Sequence, residues 1–265
     1  MTLNTALAAA ATLVALAFGL QTLDRWLRRH RRHDLAWTIA MFLFVVASGA
    51  LWGAEARGWN AESFRVILAF GAVINVPWLG LGTVYLLAGT RAGDAVARWL
   101  IGFSGFALGA IIMAPLKTPI QSREFPTAKE HFGPLPRILA AVGSGVPAVV
   151  IFAGAGWSAW RVLRQRQPAM TTSAARTIFR PRVLATGNVL IAAGAAVLSA
   201  SGTFSGRLGM DRSFVITLFV GICILFAGFM VASQASRPSS SDAIDVALRE
   251  LLNSSSEVRD GESSR

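Results

Sequence analysis

Long uncharged apolar runs alternate along the chain with short blocks of charged residues. A helix needs about 20 apolar residues to cross a bilayer, and seven runs reach that length. The pattern predicts an all-α fold, a polytopic membrane protein in which residues 1–236 form a bundle of seven transmembrane helices. The predicted spans are 3–23, 35–53, 64–89, 95–116, 137–161, 183–203 and 213–234.

The composition agrees with a membrane protein. Hydrophobic residues make up 54% of the 265 residues and charged residues 15%, whereas soluble domains carry roughly 25% charged residues. The net charge of +11 reflects arginines that gather at span ends, so no nucleic-acid partner is predicted. The first apolar run has no positive residue before it, which favours a retained span over a cleaved signal peptide.

The distribution of basic residues predicts the orientation. About two thirds of the lysines and arginines fall in the loops after spans one, three and five and in the C-terminal tail, which places the C-terminus in the cytoplasm and the N-terminus outside. The expected location is the plasma (inner) membrane. Four arginines of the fifth loop are predicted to contact anionic lipids at the cytoplasmic face: Arg161, Arg164, Arg166 and Arg176.

The tail, residues 237–265, is rich in serine. Within it, residues 242–252 are predicted to form a short amphipathic helix, with Ser241 as its N-cap. We expect this helix to dock the membrane, a membrane or cytoplasmic protein partner, or the basic fifth loop.

No predicted span core carries an ionisable Asp, Glu, His, Lys or Arg. Proton relays and ion-coupled transport usually need such groups within the membrane, so both are disfavoured. His30 and His33 lie three residues apart, but neighbouring arginines repel a cation and no acid or cysteine completes a tetrahedral set. Their segment is predicted to be a basic, lipid-facing loop. No catalytic constellation, cofactor or metal site is predicted, and an enzyme is the least favoured class.

The spacing of five residues in the third span places them on one helix face: Gly71, Asn75, Trp78, Gly82 and Tyr85. Pro77 has no N–H, so the carbonyl of Val73 loses its partner and the helix is predicted to bend. Two interpretations remain open. One is a packed kink in which Trp78 fills space between helices. The other is a central cavity lined by Asn75, Trp78, Tyr85 and Asn188.

Two further patterns concern helix packing and loops. The longest predicted outer loop, residues 117–137, is either a lid over such a cavity or a plain connector. Gly102, Gly105 and Gly109 share one face of the fourth span. Small residues at this spacing predict the close approach of another helix.

Four stretches are distinctive when taken together: "NVPWLGLGTVYLL", "EHFGPLPRILAAVGSGVPA", "GNVLIAAG" and "FAGFMVAS". On them the chain resembles multi-pass membrane proteins of high-GC bacteria for which no activity is established. The resemblance covers most spans but not the tail, and it implies an integral membrane protein without an appended catalytic domain.

Three functional hypotheses follow. The first is a non-enzymatic seven-helix protein, receptor-like or scaffolding, that binds a lipid, a small apolar ligand or a membrane partner. The alternative is a facilitator or transporter of a neutral or lipophilic solute. A membrane enzyme comes third.

Overall fold

The computed structural model describes residues 2–122, 125–164, 186–187, 189–198 and 211–234. These residues form helices joined by loops, with one isolated β-bridge between Leu116 and Phe132. The helices are α1 (Leu3–Arg29), α2 (Arg32–Arg57), α3 (Ala61–Val66), a π-helix (Ile67–Ile74), α4 (Asn75–Met113), α5 (Ala128–His131), α6 (Pro134–Arg164), α7 (Val189–Leu198) and α8 (Asp211–Gln234).

Five helical segments of the described chain are long and apolar enough to cross a membrane. They are Leu3–Arg29, Arg32–Arg57, the continuous run Ala61–Met113, Pro134–Gly154 and Ser213–Val231. Helix α7 is apolar as well but shorter. The prediction of an all-helical protein with several membrane-spanning helices is therefore confirmed in this coarser form.

The run Ala61–Met113 is a helical hairpin rather than one long helix. Its 53 residues would extend about 80 Å at 1.5 Å per residue, far beyond the ~30 Å hydrocarbon core of a bilayer. The backbone turns at Gly89, whose φ of 82° suits a residue without a Cβ. The two legs lie side by side, because Trp78 Nε1 donates to Ser104 Oγ at 3.2 Å. This turn lies at the C-terminal end of the predicted span 64–89.

Helix α2 lies between α1 on one side and the π-helix and α4 on the other. Helix α6 packs against α4 and the π-helix, and α8 packs against α1. Aromatic rings join α1 to α8, since the ring centroids of Phe18 and Phe229 are 4.6 Å apart. The apolar core therefore runs along the bundle between these helices.

Glycine mediates close helix contacts at positions other than those predicted. Nothing lies within 4 Å of a Cβ added at Gly102, Gly105 or Gly109, so the described residues form no close contact on that face. A Cβ added at Gly80 would instead lie 3.1 Å from Pro147 Cβ, and one added at Gly194 would lie 2.5 Å from the backbone nitrogen of Leu225. Small residues permit a close approach, but their spacing does not choose the neighbour.

Candidate functional site

The helix changes geometry just before Asn75. The π-helix ends at Ile74, and α4 begins at Asn75 with Pro77 in its first turn. A π-helix inside a longer helix is frequent at functional sites. The irregularity predicted at Pro77 therefore takes the form of a π-helix that precedes it.

The carbonyl oxygen of Val73, which Pro77 deprives of its usual donor, meets helix α6. A Cβ added at Gly143 would lie 2.5 Å from this oxygen and 3.0 Å from Val73 Cα. Real Cβ atoms do not approach that closely, so glycine is required where the two backbones touch. The contact fixes α6 against the bend.

Beside the bend lies a cavity of about 580 Å³, within the roughly 300–1,000 Å³ typical of small-molecule sites. Its walls come from α2, the π-helix, the start of α4, α6, α7 and α8. Most lining side chains are apolar, among them Met41, Leu218 and Ile222. The cavity is therefore a largely apolar space between helices.

Five polar side chains line this cavity: Ser48, Asn75, Thr127, Lys129 and Ser144. Ser48 Oγ donates to the carbonyl of Phe44 at 2.8 Å, and Ser144 Oγ donates to the carbonyl of Ala140 at 2.6 Å. Asn75 is 6% exposed, and its Oδ1 has no hydrogen-bond partner among the described residues. A buried polar atom without a partner costs free energy, so this amide is a candidate ligand contact.

Trp78 and Tyr85 are not among the residues that line the cavity. Both face the second leg of α4, where Trp78 donates to Ser104 and the Tyr85 hydroxyl donates to Asp94 Oδ1 at 2.9 Å. At 100° per residue, Trp78 and Tyr85 lie about 60° and 80° around the helix from Asn75. A helix face that spans this angle can contact two different neighbouring elements. Asn75 therefore reaches the cavity while the two aromatic residues hold the hairpin together.

The loop before α6 contributes residues 125–129 to the cavity wall, and residues 125–132 are called the lid below. Phe125 lines the cavity and packs against Trp59 and Phe214, with ring centroids 4.8 Å and 5.0 Å apart. Phe132 is fully buried. Both interpretations of this loop, a lid and a plain connector, stay predictions.

The opposite end of the bundle carries several ion pairs, two of which join different helices. Asp34 is fully buried, and Arg25 Nη2 lies 3.2 Å from its Oδ1. Arg25 also lies over the ring of Phe229, 4.6 Å from its centroid. Arg32 pairs with Asp94 beside the turn of the α4 hairpin. Arg25 and Arg32 therefore each have a carboxylate partner, and the expectation of a basic, lipid-facing loop at His30 and His33 stays a prediction.

Asp94 accepts hydrogen bonds from both Arg32 and Tyr85. These bonds, first the one from Arg32 and then the one from Tyr85, hold the pKa of Asp94 below its ordinary value because they favour the charged carboxylate. Asp94 lies between the predicted spans 64–89 and 95–116. The sequence signal for this cluster was weak, since an acid at a span edge does not reveal its partner.

Several predicted residues lie outside the described parts of the chain: Asn188, Arg166, Arg176 and the tail segment 242–252. Helix α6 continues to Arg164, but the side chains of Arg161 and Arg164 are not described. Within the described residues, no group of three or more His, Cys, Asp or Glu is placed to hold a metal ion. These predictions therefore stay predictions.

No protein-family model, curated protein or solved structure matches the chain.

Proposed function

We propose that the chain is a seven-span plasma-membrane protein that binds a lipid or a small apolar ligand in the cavity beside Asn75. Its N-terminus lies outside and its C-terminus in the cytoplasm, so the lid covers the outer end of the cavity. The protein acts as a receptor or scaffold rather than as an enzyme. Its basic fifth loop contacts anionic lipids, and its tail helix docks a protein partner.

The observation that carries this proposal is an apolar cavity of about 580 Å³ whose lining includes the buried Asn75. Protein interiors are close-packed, and voids larger than a water molecule are few. The volume of this cavity lies within the range of small-molecule binding sites, which supports a bound molecule. The lid supports it too, since its aromatic contacts close the space at one end.

The chemistry of the lining favours binding over catalysis. Among its described residues, the single ionisable side chain is Lys129, which belongs to the lid. Ser48 and Ser144 donate to carbonyls of their own helices, so neither has a general base beside it. These groups can select and hold a ligand, which is what a receptor or scaffold requires.

The test compares two phenylalanine substitutions on neighbouring residues of α6. Ala148 lines the cavity, whereas Val149 is 66% exposed on the outer face of the helix. Protein is purified from its membrane in mild detergent, and bound small molecules are extracted and identified by mass spectrometry. We expect a stoichiometric apolar molecule in the wild type and in Val149→Phe, and its loss in Ala148→Phe. Equal retention by both variants would place the molecule elsewhere.

A separate experiment tests the proposed orientation of the chain in the membrane. A reporter that is active only in the cytoplasm is fused after Arg265, and one that is active only outside is inserted in residues 117–137. Both should give signal. The reverse pattern would overturn the orientation, and uptake of a neutral solute by reconstituted vesicles would favour a facilitator instead of a receptor.

A further inference from the structure

We infer that the cavity binds a single-chain lipid with an anionic head group, which pairs with Lys129 of the lid while the chain lies among the apolar walls. The inference rests on the proposed function, because it names the class of molecule that the proposed cavity holds. Three features carry it: the position of the charge in the lining, the state of the other polar side chains, and the depth of the cavity.

The described lining of the cavity includes one charged side chain, and it lies at the surface. Lys129 lines the cavity and is also exposed on the lid. It forms no ion pair among the described residues. A lysine at such an edge keeps its ammonium group in water while its stem covers apolar surface. A charged head group placed beside it therefore avoids the high cost of burying an uncompensated charge.

The polar side chains that the helices contribute offer little to a head group. Ser48 and Ser144 donate to carbonyls of their own helices. Asn75 Oδ1 has almost no accessible surface, so it is not presented to the cavity. Most of the remaining helix lining is apolar, including Met41 and Leu225. The head group of an amphiphile therefore belongs at the lid, and its chain belongs among the helices.

The charge of the lining selects the sign of the head group. Lys129 attracts a carboxylate or a phosphate, which an ammonium group binds as a point charge. A cationic head group would be repelled, and the described lining contains no carboxylate to balance it. A neutral head group would gain less from the lysine than an anion does. An anionic head group is therefore favoured, and its chemistry, carboxylate or phosphate, is left to the experiment.

The depth of the cavity matches one acyl chain. Phe214 of α8 contacts Phe125 of the lid, with ring centroids 5.0 Å apart, and Leu225 lines the cavity further along the same helix. The path from Phe214 to Leu225 is about 16 Å at 1.5 Å per residue. One acyl chain fills a similar thickness in each leaflet, since the whole hydrocarbon core is ~30 Å thick.

The volume favours one chain over two. About 580 Å³ corresponds to about twenty water-sized volumes of roughly 30 Å³ each. A methylene group is about as large as a water molecule. The space therefore holds one palmitoyl-sized chain and is too small for the two chains of a phospholipid.

The chain has only two lysines, which makes the head-group site directly testable. Lys117 is exposed on the same loop, where its backbone N–H donates to the carbonyl of His131 at 2.9 Å, but it does not line the cavity. Full-length protein in phosphatidylcholine nanodiscs is treated with acetic anhydride at mildly alkaline pH, with and without palmitate, and peptide mass spectrometry measures the acetylation of each lysine. We expect palmitate to slow the acetylation of Lys129 several-fold and to leave Lys117 unchanged. Equal protection of both lysines, or protection of neither, would overturn the inference.

The preference for an anion is measured with four probes that share one chain: palmitate, hexadecyl phosphate, hexadecanol and hexadecyltrimethylammonium. Apparent affinity in the same nanodiscs is obtained from the thermal shift. We expect the wild type to bind the tighter anion about two- to fivefold more tightly than the alcohol, the range for an exposed ion pair, and to bind the cation most weakly. Which anion is tighter identifies the head group as a carboxylate or a phosphate.

Two glutamine substitutions then locate the head group. Lys129→Gln should lower the affinity for the tighter anion to that for the alcohol, and leave the alcohol within about twofold. Lys117→Gln makes the same change in net charge on the same loop and should leave both affinities within about twofold. Both side chains are exposed, so both variants should fold. An anion affinity that Lys129→Gln leaves intact, or that both substitutions lower equally, would overturn the inference.

Three further outcomes separate this inference from the proposed function. Equal binding of palmitate, hexadecyl phosphate and the alcohol, all lost in Ala148→Phe, would keep the ligand cavity and overturn the anionic head group. Tighter binding of dipalmitoyl phosphatidate than of hexadecyl phosphate would overturn the single chain. Failure of all the probes to bind the wild type would overturn both the inference and the proposed function.

Discussion

Gly143 of α6 meets the carbonyl oxygen of Val73 so closely that a Cβ at Gly143 would stand 2.5 Å from it. The oxygen belongs to the π-helix, and Pro77 has removed the N–H that it would otherwise accept. Two backbones therefore touch at the point where the ladder of helix hydrogen bonds is interrupted. The position of α6, which forms one wall of the cavity, depends on this contact.

Gly143→Ala should destabilise the bundle by about 1–3 kcal/mol, the cost of overpacking a close contact. Gly145→Ala is the matched control, because nothing lies within 4 Å of its added Cβ. That variant should be neutral or more stable by up to about 1 kcal/mol, since alanine is the better helix former. Unfolding in detergent measures both, and equal effects would contradict the contact.

The second prediction concerns the hydrogen bond between Trp78 Nε1 and Ser104 Oγ in the α4 hairpin. Trp78→Phe and Ser104→Ala each remove it, and a double-mutant cycle should give a coupling of about 0.6 kcal/mol, the average for such bonds in membrane proteins. Trp78→Ala should cost more, about 3–5 kcal/mol by the soluble-core scale. Loss of ligand affinity in Trp78→Phe without a loss of stability would instead place the indole at the cavity.

Local features of the fold were accessible from sequence. The apolar runs predict where the long helices lie, since crossing a membrane needs a fixed number of apolar residues. The turn near Gly89 and the irregularity at Pro77 were also predictable, because both depend on residues within one turn of the chain. Asn75 was singled out for a local reason as well, as an amide in an apolar stretch.

The contacts between distant segments were not accessible in the same way. Helix periodicity placed Trp78 and Tyr85 on the face of Asn75, but it does not say that this face borders both a cavity and the second leg. Asp34 is next to the arginine-rich turn, yet its burial against Arg25 depends on how α1 and α2 pack. Gly102 has a spacing suited to close helix contact, yet nothing lies within 4 Å of a Cβ added there. In each case the partner lies elsewhere in the chain.

The third prediction is a pH dependence at the end of the bundle where Asp94 accepts from Arg32 and Tyr85. Hydrogen bonding to its charged form lowers the folded-state pKa of Asp94. Its contribution to stability is therefore present above the ordinary aspartate pKa of about 3.9 and is lost as the pH falls through the lowered value. Between neutral pH and pH ~2, thermal unfolding should show that the stability of Asp94→Asn falls less than that of the wild type.

The fourth prediction tests the fifth loop. Replacing Arg161, Arg164, Arg166 and Arg176 with glutamine should weaken the retention of anionic lipid by about 1 kcal/mol per arginine near the surface. The control makes the same change in charge on the predicted outer side, at Arg57, Arg123, Arg137 and Arg207. Native mass spectrometry with added phosphatidylglycerol measures retention. Equal losses in the two variants would show that net charge, rather than the loop, controls lipid binding.

The last prediction uses one substitution at two asparagines whose amides have opposite hydrogen-bonding states. Asn75 Oδ1 is buried without a partner, so Asn75→Leu should raise the stability of ligand-free protein by about 1 kcal/mol or more by removing a desolvated acceptor. Asn60 caps α3, and its Oδ1 accepts from the backbone nitrogen of Ser63 at 2.8 Å. Asn60→Leu should therefore lower stability by about 1 kcal/mol.

The two effects should have opposite signs in ligand-free detergent, where denaturant unfolding measures them. A loss of stability in Asn75→Leu would mean that the amide has a structural partner, and the cavity would then lose its polar contact for a ligand.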